Sequence, residues 1–94
     1  MITDIDPLIE ALTNHLQVTL NYTKKNGEVV THTGGIYEIG TNKAGNAVIW
    51  LFDTQSNDHI RQFLISNIDS FQILDTPFSD TFGWGFKLNG DIIP

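Results

Sequence analysis

Cysteine is absent from this 94-residue chain, methionine occurs once, and cations are scarce: five lysines and arginines stand against eleven acids, for a net charge of -6. Without cysteine there is no disulfide framework and no thiolate metal site, which fits a reducing compartment, and a cytoplasmic location is expected, that of the host if the chain is viral. A surface that is basic all over, the usual footprint of phosphate neutralisation, is excluded, because the cations are only Lys24, Lys25, Lys43, Arg61 and Lys87. No run approaches the roughly 18 apolar residues that span a bilayer, so a soluble chain with no membrane partner is expected. Asp4, Asp6 and Glu10 precede the first cation, Lys24, the reverse of a secretory start. With no export signal, the Asn21-Tyr22-Thr23 sequon is read as strand residues.

Catalytic patterns are also missing. No glycine loop ends in Lys-Ser or Lys-Thr, and no serine lies in a nucleophile elbow. His15, His32 and His59 are scattered without ligand spacing, and carboxylates without geometry carry no acid-base assignment. The expectation is a non-enzyme with no catalytic residue, no metal and no cofactor.

What remains is a compact β pattern. At 40% hydrophobic and 11% aromatic the chain is too apolar for disorder, and its length suits one domain over residues 1–94 with a small core. Asp6-Pro7 predicts a helix start, with Asp6 as the cap. Leu8, Ile9, Leu12 and Leu16 give a helical stripe over about Pro7 to Leu16. Val18, Leu20 and Tyr22 then alternate with polar residues, and Lys25-Asn26-Gly27 supplies a hairpin turn.

A second strand spans about Glu28 to Ile39, with Gly34-Gly35 predicting a bend or bulge within it. The loop Gly40 to Asn46 leads to a strand, Ala47 to Phe52, that is apolar on both faces and so reads as central. After residues 53–58 come a fourth strand, His59 to Ile65, a break at Ser66-Asn67, and a fifth strand, Ile68 to Leu74, with Phe71 and Ile73 on one face. The fold class predicted is mainly β: an N-terminal helix plus a five-stranded bent antiparallel SH3-like barrel over about residues 17–74. The tail from Asp75 carries Phe78, Phe82, Trp84 and Phe86, with Gly83 and Gly85 letting it lie flat. It is expected to cover a barrel end or a neighbouring subunit, and base stacking is the alternative.

These residues resemble the Sm/LSm superfamily, and in particular the short, divergent Sm-like proteins of marine cyanophages. Gly34, Ile36 and Ile39 match the hydrophobic frame of the first family motif, and Asn46 followed by Ala47-Val48-Ile49 matches its end. Gly40 replaces the motif's Asp, and the loop is about two residues longer than usual. Ile65-Ser66-Asn67-Ile68 keeps the frame of the second motif without its Arg-Gly. The resemblance implies a homo-oligomeric ring binding nucleic acid, RNA in preference to DNA. Its contacts would lie at an inner rim formed by Thr41, Asn42, Lys43, Asn46, Ser66 and Asn67, of which Asn46 alone matches in both type and place. Net acidity favours the alternative of a non-catalytic assembly module of the same fold.

A second resemblance is to WYL domains, whose closing pattern Arg61-Gln62-Phe63-Leu64-Ile65-Ser66-Asn67-Ile68 follows until Asn67 replaces an Arg. It would make Arg61 part of a ligand- or nucleic-acid-sensing surface. From the residue alone, Arg61 reads as a solvated or ion-paired side chain.

Overall fold

The computed structural model describes residues 4–54 and 59–93. Gln55-Ser56-Asn57-Asp58, part of the turn expected before the fourth strand, lies outside the described residues. The protein is mainly β with one short helix, and its elements run α1 (Asp6–Thr13), β1 (Leu16–Thr23), β2 (Val29–Thr41), β3 (Ala47–Asp53), β4 (His59–Leu64), a 3-10 turn (Ile65–Asn67), β5 (Ile68–Pro77), β6 (Phe86–Leu88) and β7 (Asp91–Ile93).

Helix α1 buries Leu8, Ala11 and Leu12 and is shorter than the periodicity predicts. It ends because His15 takes a positive φ of 56°, the left-handed conformation that stops a helix, so Leu16 opens β1 instead of closing the helix. The cap also differs from the expectation. Ile5 occupies the N-cap position, Asp6 is the first helical residue, and the Asp6 N–H donates to Asp4 Oδ1 at 3.0 Å.

The sheet order is β4-β3-β2-β1-β5, antiparallel throughout this path, and among the described residues β4 and β5 do not pair, so the sheet is not closed. β2 is the hinge of this arrangement. Its first half pairs with β1, its second half pairs with β3, and Gly34 and Gly35 pair on both sides. A side chain at Gly34 would run into the Phe52 carbonyl, and one at Gly35 into the Phe78 ring, so close approach fixes both glycines. The register slip itself falls further on, at Tyr37, between the Ile36–Leu51 and Glu38–Trp50 pairs.

β1 pairs with β2 only as far as Gly35, which would leave the rest of that β2 edge without a strand. The C-terminal segment fills it. β6 runs parallel to β2 at Glu38 and Ile39, the Asn89 N–H donates to the Ile39 carbonyl at 2.8 Å, and β7 returns antiparallel to β6.

The core lies between α1 and the sheet and draws on Val18, Leu20, Ile36, Ile49, Leu51 and Ile68, each at most 2% exposed. The same core continues into an aromatic group in which Tyr37 and Phe52 meet Phe78 and Phe86 from the C-terminal segment. The segment from Asp75, expected as a tail covering a barrel end or a neighbouring subunit, thus supplies the end of β5, two further strands and two core rings.

Candidate nucleic-acid interface

The β2–β3 turn is built by Asn42. Its N–H donates to the Asn46 carbonyl at 2.9 Å, and its side-chain oxygen accepts from the Ala44 and Asn46 N–H groups, both at 3.0 Å. Gly45, at φ 84°, closes the turn. The Asn42 carbonyl oxygen is therefore occupied within the turn, while Lys43 and Asn46 are exposed at its tip.

The register carries Asn46 to the end of the sheet where the 3-10 turn begins, because Val48 pairs with Leu64 and Ile65 follows directly. Ser66 is exposed there and Asn67 is half-buried. Three of the six residues of the expected rim share a concavity. Thr41, Asn42 and Lys43 line an open concavity of about 530 Å³ together with Ala44, Trp50 and Gln62. Ser66 and Asn67 do not line it.

Trp50 and Gln62 are the additions that sequence reasoning missed. They are cross-strand partners on β3 and β4, and Glu38 pairs with Trp50 from the other side, so one row of side chains crosses three strands. The signal was the tryptophan in this strand, which the two-sided apolar pattern of Ala47 to Phe52 obscured. Trp50 also lines a smaller concavity of about 120 Å³ with Glu38, Ile60, Trp84 and Lys87.

Next to this face, Asp80 organises the aromatic loop. Its carboxylate accepts from the Tyr37 hydroxyl at 2.9 Å, the Trp84 N–H at 3.1 Å and the Gly85 N–H at 2.7 Å. The Gly85 N–H is the main reason that the Asp80 carboxyl is held below its ordinary range; desolvation opposes it, and the Tyr37 hydroxyl and the Trp84 and Gly83 N–H groups add to the lowering. Tyr37 is pushed up to about 12, chiefly by burial, then by its hydrogen bond to Asp80 and by that carboxylate's charge. Phe82 and Trp84, about half exposed, stack on one another at 4.5 Å and 16° above Phe52.

Arg61 lies elsewhere. Its Nε is 3.4 Å from Asp53 Oδ2, which is buried and also 2.7 Å from His32 Nδ1. An imidazole with its proton on Nδ1 donates to that carboxylate whether neutral or charged. The cluster joins a buried carboxylate to a partly exposed guanidinium and lies next to Phe63, which packs on His32 at 5.0 Å. Among the described residues no group of three or more histidines and carboxylates is arranged to hold a metal ion. No described helix is long and apolar enough to cross a membrane.

No protein family, curated protein or solved structure matches this chain.

Proposed function

We propose that this chain is a non-catalytic Sm-like protein that binds single-stranded nucleic acid, RNA in preference to DNA, as a homo-oligomeric ring. The observation that carries the reading is the strand order β4-β3-β2-β1-β5 behind an N-terminal helix, with a bent β2 shared between the two halves of the sheet. The resemblance of Gly34, Ile36, Ile39 and Asn46 to the Sm frame implies a helix followed by five bent antiparallel strands, and this order supports that reading. β4 and β5 stand at the two ends of that order, and a strand edge without a second partner favours pairing with another chain. Head-to-tail pairing of one edge with the other closes into a ring when the rotation permits.

Lys43 supports the binding half of the reading. It is exposed at the turn tip, and a ring repeats it once per subunit, so a chain acidic overall presents a locally positive rim. One observation favours the assembly-module reading instead: Asn42 spends its side-chain oxygen on its own turn and Asn67 is half-buried, which leaves few groups to read a base at the rim. The WYL reading would use Arg61, whose Nε lies 3.4 Å from Asp53 Oδ2.

The test is the mass of the protein in solution with and without short single-stranded RNA, followed by titration of labelled oligo-U and oligo-A against wild type and Lys43→Glu at low salt. A ring that binds, and a variant that binds more weakly, is the expected result. A ring that binds neither strand leaves the assembly module, and equal binding by both proteins removes the rim site.

A further inference from the structure

We propose that the indole of Trp50 is the stacking platform for a nucleobase of the bound strand, with Lys43 and Lys87 holding phosphates on either side of it. The inference rests on the nucleic-acid reading above and places the base contact on the outer face of β3 and β4 instead of at the rim.

Three observations converge on that position. First, Trp50 lines both concavities of this face, the larger with Lys43 and Gln62 and the smaller with Lys87 and Glu38. The larger, at about 530 Å³, falls in the range of roughly 300–1,000 Å³ typical of small-ligand clefts. Second, the cations divide by commitment. Lys24 pairs with Glu28 and Arg61 with Asp53, both at 3.4 Å. Among the described residues Lys25, Lys43 and Lys87 form no ion pair, and two of these three flank one indole. Phosphates on both sides of a stacked base are the complement of that arrangement. Third, the apolar surface continues past Trp50 to Ile60 and the stacked Phe82–Trp84 pair, each at least 42% exposed, where a following base can lie.

The polar groups beside the indole set a preference. Gln62 offers both a donor and an acceptor, while Glu38 is acceptor-only and disfavours a base carbonyl facing it. A carboxylate accepts from the exocyclic amine of adenine, whereas uracil presents its single ring N–H between two carbonyls. Adenine is therefore favoured over uracil, and its larger ring system also stacks better.

The chain has two tryptophans, so Trp84→Phe keeps a ring at that position and leaves Trp50 as the one indole emitter. Oligo-A titrated into this variant at low salt quenches the emission saturably, with the same midpoint as the anisotropy of the labelled strand. Trp50→Ala weakens oligo-A binding roughly five- to hundredfold, the fold equivalent of one stacked base, and Trp50→Phe recovers most of it. Glu38→Gln narrows the preference for oligo-A over oligo-U, and Lys87→Glu weakens both strands.

Binding by wild type and by Trp84→Phe without quenching of Trp50 in the latter, together with unchanged affinity in Trp50→Ala and Trp50→Phe, overturns the inference and leaves the nucleic-acid reading standing. No binding by wild type overturns both. A change of assembled mass in Trp50→Phe or Lys87→Glu with no change of affinity also overturns it, and assigns this face to a subunit contact.

Discussion

At the scale of single residues, the largest departures from what the sequence displays lie at Asp80, Tyr37 and the paired glycines. Asp80 is separated from Tyr37 by 43 positions, and nothing in local spacing links them, yet its carboxylate ties the aromatic loop to β2. Because its pKa is lowered in the folded protein, the stabilisation it provides is complete above the ordinary carboxylate pKa and is lost as pH falls through the folded value. Acid titration followed by tryptophan emission should therefore show a loosening of the Trp84 loop before global unfolding, and Asp80→Asn should lack that step. An identical acid step in the variant would rule out Asp80 as its origin. Tyr37 works at the opposite end of the scale: its contribution is complete below the ordinary value of 10.0 and fades as pH rises toward about 12, so ultraviolet titration should find one tyrosine ionising late. The paired glycines predict a bend or bulge: β2 passes from β1 to β3 at Gly34 and Gly35, which close approach requires, while the register slip lies beyond them at Tyr37. Gly35→Ala should cost on the order of 1–3 kcal/mol as Phe78 is pushed aside. Gly34→Ala should cost more, since its obstacle is the Phe52 backbone, which no rotamer change can move. Denaturant midpoints of the two variants check the order.

At the scale of elements, the first five strands follow the sequence closely, because period-two alternation in Val18, Leu20 and Tyr22 and the turn at Lys25-Asn26-Gly27 are local signals with local causes. The helix was overextended by its apolar stripe, since Leu16 continues the spacing while the backbone has already turned at His15. The C-terminal hairpin carried a readable signal in Asn89-Gly90, whose positive φ values of 52° and 86° suit a tight turn, but its strands have only three residues each and little periodicity. Their stability comes from tertiary partners: β6 occupies the β2 edge beyond Gly35, and Phe86 packs on Tyr37 at 5.3 Å and His15 at 4.4 Å. The segment therefore divides into buried and surface rings. Phe86→Ala should lower stability by about 3–5 kcal/mol, as for a core aromatic, whereas Trp84→Ala should cost less because that ring is half exposed. Thermal melts of the two variants test the division, and equal losses would place Trp84 in the core layer with Phe86.

For the whole molecule, charge and assembly are the properties a single chain discloses least. Net charge is a sum, and it hides where the cations sit: Lys24 and Arg61 are spent on Glu28 and Asp53, while Lys43 and Lys87 lie on the face that carries Trp50. Assembly through β4 and β5 would rest on backbone hydrogen bonds and apolar side chains, which salt does not screen, whereas strand binding would rest on lysine–phosphate contacts, which it does. The two should separate in a salt titration. The assembled mass by light scattering should stay constant between about 50 and 200 mM salt while affinity for oligo-A falls. The slope carries further information. A single-stranded ligand contributes about -0.7 per neutralised phosphate to the dependence of log K on log salt, so two lysines of one subunit account for roughly -1.4. A steeper slope brings in cations beyond these two, as a strand crossing from one subunit to the next in a ring would, and Lys87→Glu should then reduce it by more than one contact. A monodisperse monomer, or a slope no steeper than the two-lysine value, would remove the ring from the binding mechanism even if the Trp50 contact holds.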